Sequence, residues 1–255
     1  MKVAAVTILI RRFTPFILAI LLTACQSGTL PSTSLPATAT ELPSPTATAS
    51  PSPTALPPTL TPTPPPAPSI FTEQFDGALP NWTFQQIDIG QPEVTPTPVS
   101  GFLKFDLTAP NQWVYALYDV QAYADIRVDA QVEDLAGDGG AVGLVCRYFQ
   151  DQGWYEFNVY ADQTYELLYG QWLSPGLPRY TPLFQGISEK IKADANEIGL
   201  VCQGTTLTPF INGTQMRIWQ DNKFGLKNGQ IGISAASFTD VPFTVAYDWV
   251  KVSLP

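Results

Sequence analysis

Residues 140–172 read GAVGLVCRYFQDQGWYEFNVYADQTYELLYGQW, from Gly140 to Trp172, and the period of this stretch decides the fold. Apolar side chains recur at every second position, the spacing of a strand with two distinct faces. Val142, Leu144, Cys146 and Tyr148 fall on one face of a first strand. Tyr155, Phe157 and Val159 do so on a second, and a third follows after Asp162-Gln163. Gly, Asp and Gln breaks of two to four residues fit antiparallel neighbours joined by tight turns. The opposite faces carry Arg147, Trp154, Glu156, Asn158 and Tyr160, which places charge, amide and aromatic groups side by side on one sheet surface.

Working outward, the same alternation continues through Asp125–Glu133, where polar and apolar residues alternate without a miss. Further strands are expected over residues 70–75, 82–89, 102–107, 113–120, 197–203, 207–211, 215–219, 230–235 and 243–252. In the last of these the parity of Phe243, Val245, Tyr247 and Trp249 switches at Val250, the mark of a β-bulge. Asn212-Gly213 is a hairpin signal, because a type I′ turn needs positive φ at both central residues. Pro209 just before it points to an edge strand. Residues 188–196 suggest at most one helical turn. About a dozen short strands at even spacing and no long helix predict an all-β chain, a two-sheet antiparallel sandwich. The aromatic first and last strands are expected to pair and tie the ends together.

The N-terminal part is of another nature. Lys2, Arg11 and Arg12 precede an apolar run from Phe13 to Leu22, too short for a bilayer span of about 20 residues. This is the pattern of an export signal over 1–24. The run ends in Leu22-Thr23-Ala24-Cys25, which resembles a bacterial lipobox with Cys25 as the lipidated residue. A simple signal peptide or an uncleaved anchor is the alternative. Gln26 follows, so the aspartate that retains some lipoproteins at an inner membrane is absent. Residues 25–69 then form a Pro/Ser/Thr-rich segment holding 13 of the 25 prolines and a single charge, Glu41. Such a composition cannot bury enough apolar surface to order itself and is expected to be an extended, disordered stalk reaching up to about 130 Å. The expected address is a lipid-anchored protein facing the extracellular or periplasmic side, touching the membrane through its anchor alone.

Charge and cysteine use narrow the classes further. From residue 70 onward there are 21 acidic and 10 basic residues, and histidine is absent from the whole chain. An acidic domain lacks the basic footprint that nucleic acid requires. Without histidine there is neither a His-based triad nor a His metal site. Calcium could be held by hard oxygen ligands at Asp76, Asp138 or Asp248, but their spacing carries no calcium-loop signature, so no metal or other cofactor is expected. Cys146 and Cys202 lie in the similar strings GLVCRY and GLVCQG, both on inward parity. In an exported chain they suggest a disulfide worth about 4 kcal/mol by loop-closure entropy, two buried thiols being the alternative.

Several motifs now carry a likeness. Glu73–Gly77 (EQFDG) followed by Trp82, the strand GWYEFNVYAD, the hairpin LTPFINGTQM and the closing VAYDWVKVSL resemble the concanavalin A-like jelly rolls. The specific group is the laminin G-like and 3-keto-disaccharide hydrolase-like one of bacterial surface proteins, and the resemblance covers nearly all of residues 70–255. It implies that a concave sheet carries any ligand. Arg147, Trp154, Glu156, Asn158, Tyr160 and Trp172 are then the candidate ligand-binding set, suited to a polysaccharide or other glycan. An aromatic ring stacks on a pyranose while Arg, Asn and Glu take hydroxyls. Tyr165, Tyr169 and Tyr180, the last on an expected Pro- and Gly-rich loop spanning 173–186, could extend or cover the groove.

Catalysis is the alternative. Glucanases of this superfamily carry Glu-x-Asp-x-x-Glu on one strand, and retaining glycosidases hold their two carboxylates at about 5 Å. No such string is present here. A sugar-processing hydrolase or lyase would rest on Glu156, with Asp162 or Asp76 as the nearest further carboxylates in the reading. A structural or protein-adhesion module is the third reading, and a concave face already filled by the 173–186 segment would favour it. The expectation is glycan binding without chemistry.

Overall fold

The computed structural model describes residues 69–87, 90–135, 139–174 and 176–255. The export signal, Cys25 and nearly all of the stalk lie outside the described residues, as does Asp138. The described part is all-β, in two antiparallel sheets.

The strands are β1 (Phe71–Glu73), β2 (Trp82–Ile87), β3 (Thr97–Val99), β4 (Phe102–Leu107), β5 (Trp113–Tyr123), β6 (Ile126–Glu133), β7 (Gly140–Phe149) and β8 (Gly153–Tyr160). There follow β9 (Thr164–Ser174), β10 (Leu177–Ile187), β11 (Asn196–Gln203), β12 (Thr206–Ile211), β13 (Thr214–Gln215), β14 (Trp219–Gln220), β15 (Gly229–Ser237) and β16 (Phe243–Ser253). One sheet has the order β13-β12-β11-β6-β16-β4-β3, with β1 added on β16 and β14 on β12; the other has the order β10-β9-β8-β7-β15-β5-β2. β1 pairs with β16 through Phe71 opposite Val252, so the first and last strands do join.

Alternation places the core. On β6, Ile126, Val128, Ala130 and Val132 are buried between the sheets while Arg127, Gln131 and Glu133 face out. Opposite them stand Val142, Leu144 and Cys146 of β7 and Tyr155, Phe157 and Val159 of β8, as their parity predicts. Cys146 and Cys202 form a disulfide that joins β7 of one sheet to β11 of the other, with Cα atoms 6.8 Å apart. A second tie is Tyr247 of β16, whose hydroxyl donates to the Ser234 carbonyl at 2.7 Å and accepts from the Gly143 amide at 3.1 Å. Asp221 closes the loop ahead of β15. Its carboxylate accepts from the Tyr155 hydroxyl at 2.5 Å and from the amides of Lys223, Phe224 and Gly225.

Turn chemistry follows the sequence at Asn212 and Gly213, both at positive φ. The bulge in β16 falls between Tyr247 and Trp249. Residues 188–196 hold one short turn and no more, the Ile191 amide donating to the Ser188 carbonyl at 3.2 Å, and the Asn196 side chain closes them by pairing with the Lys192 amide and carbonyl. Two local expectations are corrected. The expected strand over 215–219 is two short pieces, β13 and β14, which pair with one edge of β12 on either side of Pro209 and leave that residue outside both ladders. The expected loop over 173–186 is the hairpin β9–β10, and Pro178 and Pro182 sit on the edge strand, where a missing N–H costs no ladder bond.

The two sheets differ in how they meet solvent. An antiparallel sheet ordinarily wets one face, as β6 does. In the seven-stranded sheet, β7 and β8 are buried on both faces. The cause is curvature. β5 and β10 are five strand spacings apart in the sheet order, about 24 Å at ~4.8 Å each. Yet Trp113 of β5 and Tyr180 of β10 stack with centroids 5.0 Å apart. The sheet therefore curls until side chains from its two flanks meet above its middle.

Candidate functional site

The outer face of this curled sheet brings together most of the candidate residues, in two contrasting halves. β8 projects Trp154, Glu156, Asn158 and Tyr160 from that face at period two. Trp154, Glu156 and Asn158 are all buried, so at this point the face is filled and these three members of the candidate binding set do not meet a ligand from it.

Glu156 is the hub of the filled half. Its Oε1 accepts from Trp113 Nε1 at 3.0 Å and Ser234 Oγ at 2.8 Å. Its Oε2 accepts from Trp154 Nε1 at 2.9 Å and the Tyr115 hydroxyl at 2.7 Å. The Tyr115 hydroxyl also meets that of Tyr180 at 2.7 Å. Burial raises the Glu156 pKa above the ordinary carboxylate value, and the bonds from Trp154, Tyr115, Ser234 and Trp113 pull it only part of the way back. A carboxylate offers about four acceptor sites, and here all four are used.

Around it the rings interlock. Trp154 contacts Trp172 at 5.2 Å, Tyr148 at 5.4 Å, and the edges of Tyr115 and Tyr180 at 5.9 Å each. Trp172 is half-buried over this cluster and donates from Nε1 to the Tyr148 hydroxyl at 3.2 Å. Two glycines make the seats. A Cβ at Gly170 would lie 2.3 Å from the Trp154 ring, and one at Gly143 would lie 2.2 Å from Asn158 Oδ1. The result is an aromatic plug pinned by one carboxylate.

Arg147 is elsewhere. A register shift between Cys146 and Phe149 and a φ of 54° at Arg147 put a bulge in β7. The bulge turns Tyr148 outward into the plug, whereas simple alternation places it inward. It swings Arg147 to the end of the sandwich, where the guanidinium donates to the carbonyls of Ala124, Gly204 and Leu226 and lies 3.5 Å from Asp125. Fully buried there, Arg147 fastens three loops and does not share a surface with Trp154.

The open half begins at Tyr160. Next to the plug the same face holds a cleft of about 1110 Å³, lined among others by Tyr160, Asp162, Thr164, Glu166, Gln185 and Phe238. Phe238, just past β15, stands at the divide: it meets Trp113 of the plug edge-on at 6.2 Å and stacks on Tyr160 at 5.8 Å. Glu166 is nine-tenths buried; it accepts from the Tyr160 hydroxyl and, at 3.0 Å, from Gln185 Nε2. Burial, together with the hydrogen bond and charge of Glu166, pushes the Tyr160 phenol far up, so it remains a donor. Asp162 is exposed and accepts from the Thr164 amide and hydroxyl. Between the two halves Asn158 is buried with its Nδ2 unpaired.

Of the aromatics read as extending the groove, Tyr165 and Tyr169 belong chiefly to the inner core, Tyr165 also reaching the cleft wall, while Tyr180 belongs to the plug. Trp113, Tyr115 and Ser234 were invisible as partners of Glu156, because they come from strands 40 or more residues away. The signal for two of them was the alternation of Trp113, Tyr115 and Leu117 on β5. For Phe238 there was none. A shallower depression of about 430 Å³ lies on the outer face of the nine-stranded sheet, where Arg127 forks onto Asp129 beside Trp249 and Glu197. Among the described residues no group of three or more His, Cys, Asp or Glu could hold a metal ion.

Two packed antiparallel sheets with this strand order define a concanavalin A-like jelly roll, and comparison with solved structures gives the same fold. A Bacillus subtilis protein of unknown function with a galectin-like fold superposes with a TM-score of 0.56 at 12% identity, covering 72% of this chain and 94% of that one. A family 16 glycoside hydrolase endo-glucanase from Bacteroides ovatus, solved in complex with G4G3G-2F-DNP, gives 0.53 at 11% identity over 72% and 99%. The β-glucanase of Bacillus licheniformis gives 0.50 at 14% identity over 73% and 99%. No protein-family model and no curated protein sequence matches the chain.

Proposed function

We propose that this chain is an exported, lipid-anchored protein whose jelly-roll domain binds carbohydrate in the cleft between Tyr160 and Gln185, without cleaving it. One observation carries the reading: the stacked pair Tyr160–Phe238 stands beside Glu166 and Gln185 in an open cleft on the curled face. An apolar ring wall with amide and carboxylate groups next to it suits the alternating CH faces and hydroxyls of a sugar. The glucanases that share the fold act on polysaccharide from the same architecture, which supports a glycan as ligand.

Binding is favoured over chemistry by Glu156. A nucleophile or general acid needs a lone pair or proton directed at substrate. All four acceptor positions of Glu156 are spent on the plug, under rings that cover it. Surface display rests on the Lys2-to-Cys25 pattern and the proline-rich stretch after it.

A polysaccharide array probed with the purified protein and with Phe238→Ala tests the site. The expected result is retention of a subset of glycans, weakened about tenfold by loss of the ring, and no release of reducing ends. Turnover abolished by Glu156→Gln would replace this reading with the hydrolase one; binding indifferent to Phe238 would remove the cleft. For the anchor, labelled fatty acid should enter the wild-type chain and not Cys25→Ala.

A further inference from the structure

Within the cleft the charges are one-sided. Its walls carry two carboxylates, Glu166 and Asp162, and no lysine or arginine. Among the described residues no cation pairs with either: the ion pairs are Lys104–Asp106, Arg127–Asp129 and Arg147–Asp125, none of them at this cleft. Glu166 is the unusual member, because a carboxylate nine-tenths buried normally has a counter-charge to offset its lost hydration. Its two oxygens each take one neutral donor, Tyr160 and Gln185, which leaves acceptor capacity on both. Three rings, Tyr160, Tyr165 and Phe238, line it beside small residues and Ile187. Carboxylates beside the faces of aromatic rings make the pairing that favours an ammonium group, by charge and by the ring quadrupole together. The domain around it, 21 acidic residues against 10 basic, attracts cations and repels polyanions at long range.

We propose that the glycan held in this cleft carries free amino groups, with an ammonium on Glu166 and a sugar ring against Tyr160 and Phe238. The proposal rests on the carbohydrate reading of the cleft and narrows it to amino sugars that are not acetylated. The incoming cation supplies the counter-charge that Glu166 lacks. Uronate-bearing and sulfated polymers are excluded by the same carboxylates.

Calorimetric titration of the whole protein with a glucosamine hexamer, its fully N-acetylated counterpart, a neutral glucose hexamer and spermidine separates the outcomes. The glucosamine hexamer should bind at least about tenfold tighter than either neutral hexamer, the range of a charge-assisted bond against a neutral one. That preference should shrink as salt is raised from 0.05 to 0.5 M, values chosen around the ionic strength where screening sets in. Glu166→Gln, which keeps shape and one acceptor, should remove the preference, so that the variant binds the glucosamine hexamer no more tightly than the N-acetylated one. Asp162→Asn, on an exposed turn, gives a second reading should Glu166→Gln prove unstable, with a smaller loss of preference and salt dependence in the same direction. If a neutral hexamer binds as tightly as the glucosamine hexamer, the amino-sugar proposal falls and the carbohydrate reading stands. If spermidine matches the hexamer, or no saccharide binds, both fall.

Discussion

The plug and the cleft occupy one face of one sheet and are built from the same residue types, rings beside a buried carboxylate. They differ in who satisfies the carboxylate. At Glu156 the protein supplies four donors from three strands, β5, β8 and β15, and the rings close over it. At Glu166 it supplies two, Tyr160 and Gln185, and leaves one side open to the cleft. A buried polar group fully satisfied from within contributes rigidity and a unique packing; one satisfied in part leaves room for a ligand to complete it. Strand curvature decides which is which. Where β5 and β10 curl close enough for Trp113 to stack on Tyr180, no ligand fits; beyond Phe238 the face opens.

The sharpest way to break the contrast is to remove the hub. Glu156→Ala strands the donors of two indoles and two hydroxyls and opens a cavity, and should cost about 4 kcal/mol in urea unfolding. Glu166→Ala should cost about 1 kcal/mol, since it frees only two donors at a wall that water reaches. Equal losses would mean that the plug is no more structural than the cleft. Gly170→Ala comes next, at about 2 kcal/mol, because the added carbon lands on the Trp154 ring and must displace it. Trp fluorescence of that variant should shift to the red as Trp154 is lifted toward water. An unshifted spectrum would place the ring elsewhere.

Much of this was legible along the chain and some of it was not, for physical reasons. Period two is a local signal. It gave most of the strands, though not β3 or β10, the face assignments on β6 and β8, the Asn212-Gly213 turn, the bulge in β16 and the pairing of the first and last strands. The Cys146–Cys202 bond followed from parity and redox context. Alternation, however, says which face a side chain takes and not whether another strand covers it. Trp154 and Glu156 lie on the face their parity assigns, yet are buried, because curvature is a property of seven strands at once. Arg147 was misplaced since a bulge with positive φ at an arginine has no turn-residue signature. The prolines of β10 read as a loop because only the finished sheet order reveals that this strand is an edge.

Where the plug resists change, the cleft should tolerate it. Phe238→Ala removes a half-buried ring at the divide and should lower stability by about 1 kcal/mol. In saccharide titrations the same variant should lose about tenfold in affinity, a comparable free energy spent in a different place. Trp172→Ala, on the plug's outer side, should do the reverse: about 2 kcal/mol from stability, and affinity within about twofold. If Trp172→Ala weakens binding as much as Phe238→Ala, the ligand extends across the plug and the boundary drawn at Phe238 is wrong.

The smallest effect separates two carboxylates by the direction of their pH dependence. Burial leaves Glu156 with a folded pKa above the ordinary value, so the fold favours its protonated form. Its contribution is complete below the unfolded carboxylate pKa and is lost as pH rises through the folded one. At Asp221 burial also raises the pKa, but the hydrogen bonds from Tyr155, Phe224, Lys223 and Gly225 together outweigh it and hold it below the ordinary value. That contribution is complete above the unfolded pKa and is lost as pH falls through the folded one. The stability gap between wild type and Glu156→Gln should therefore narrow as pH rises from 4 toward 7, a span chosen to start near the ordinary carboxylate range. For Asp221→Asn the gap should widen as pH rises from about 2 to 5, crossing the same range from below. Urea titrations of the three proteins across pH measure both slopes. Two gaps that move in the same direction would mean that the four donors at Glu156 hold it ionised, as a charged hub, in the way the loop amides hold Asp221.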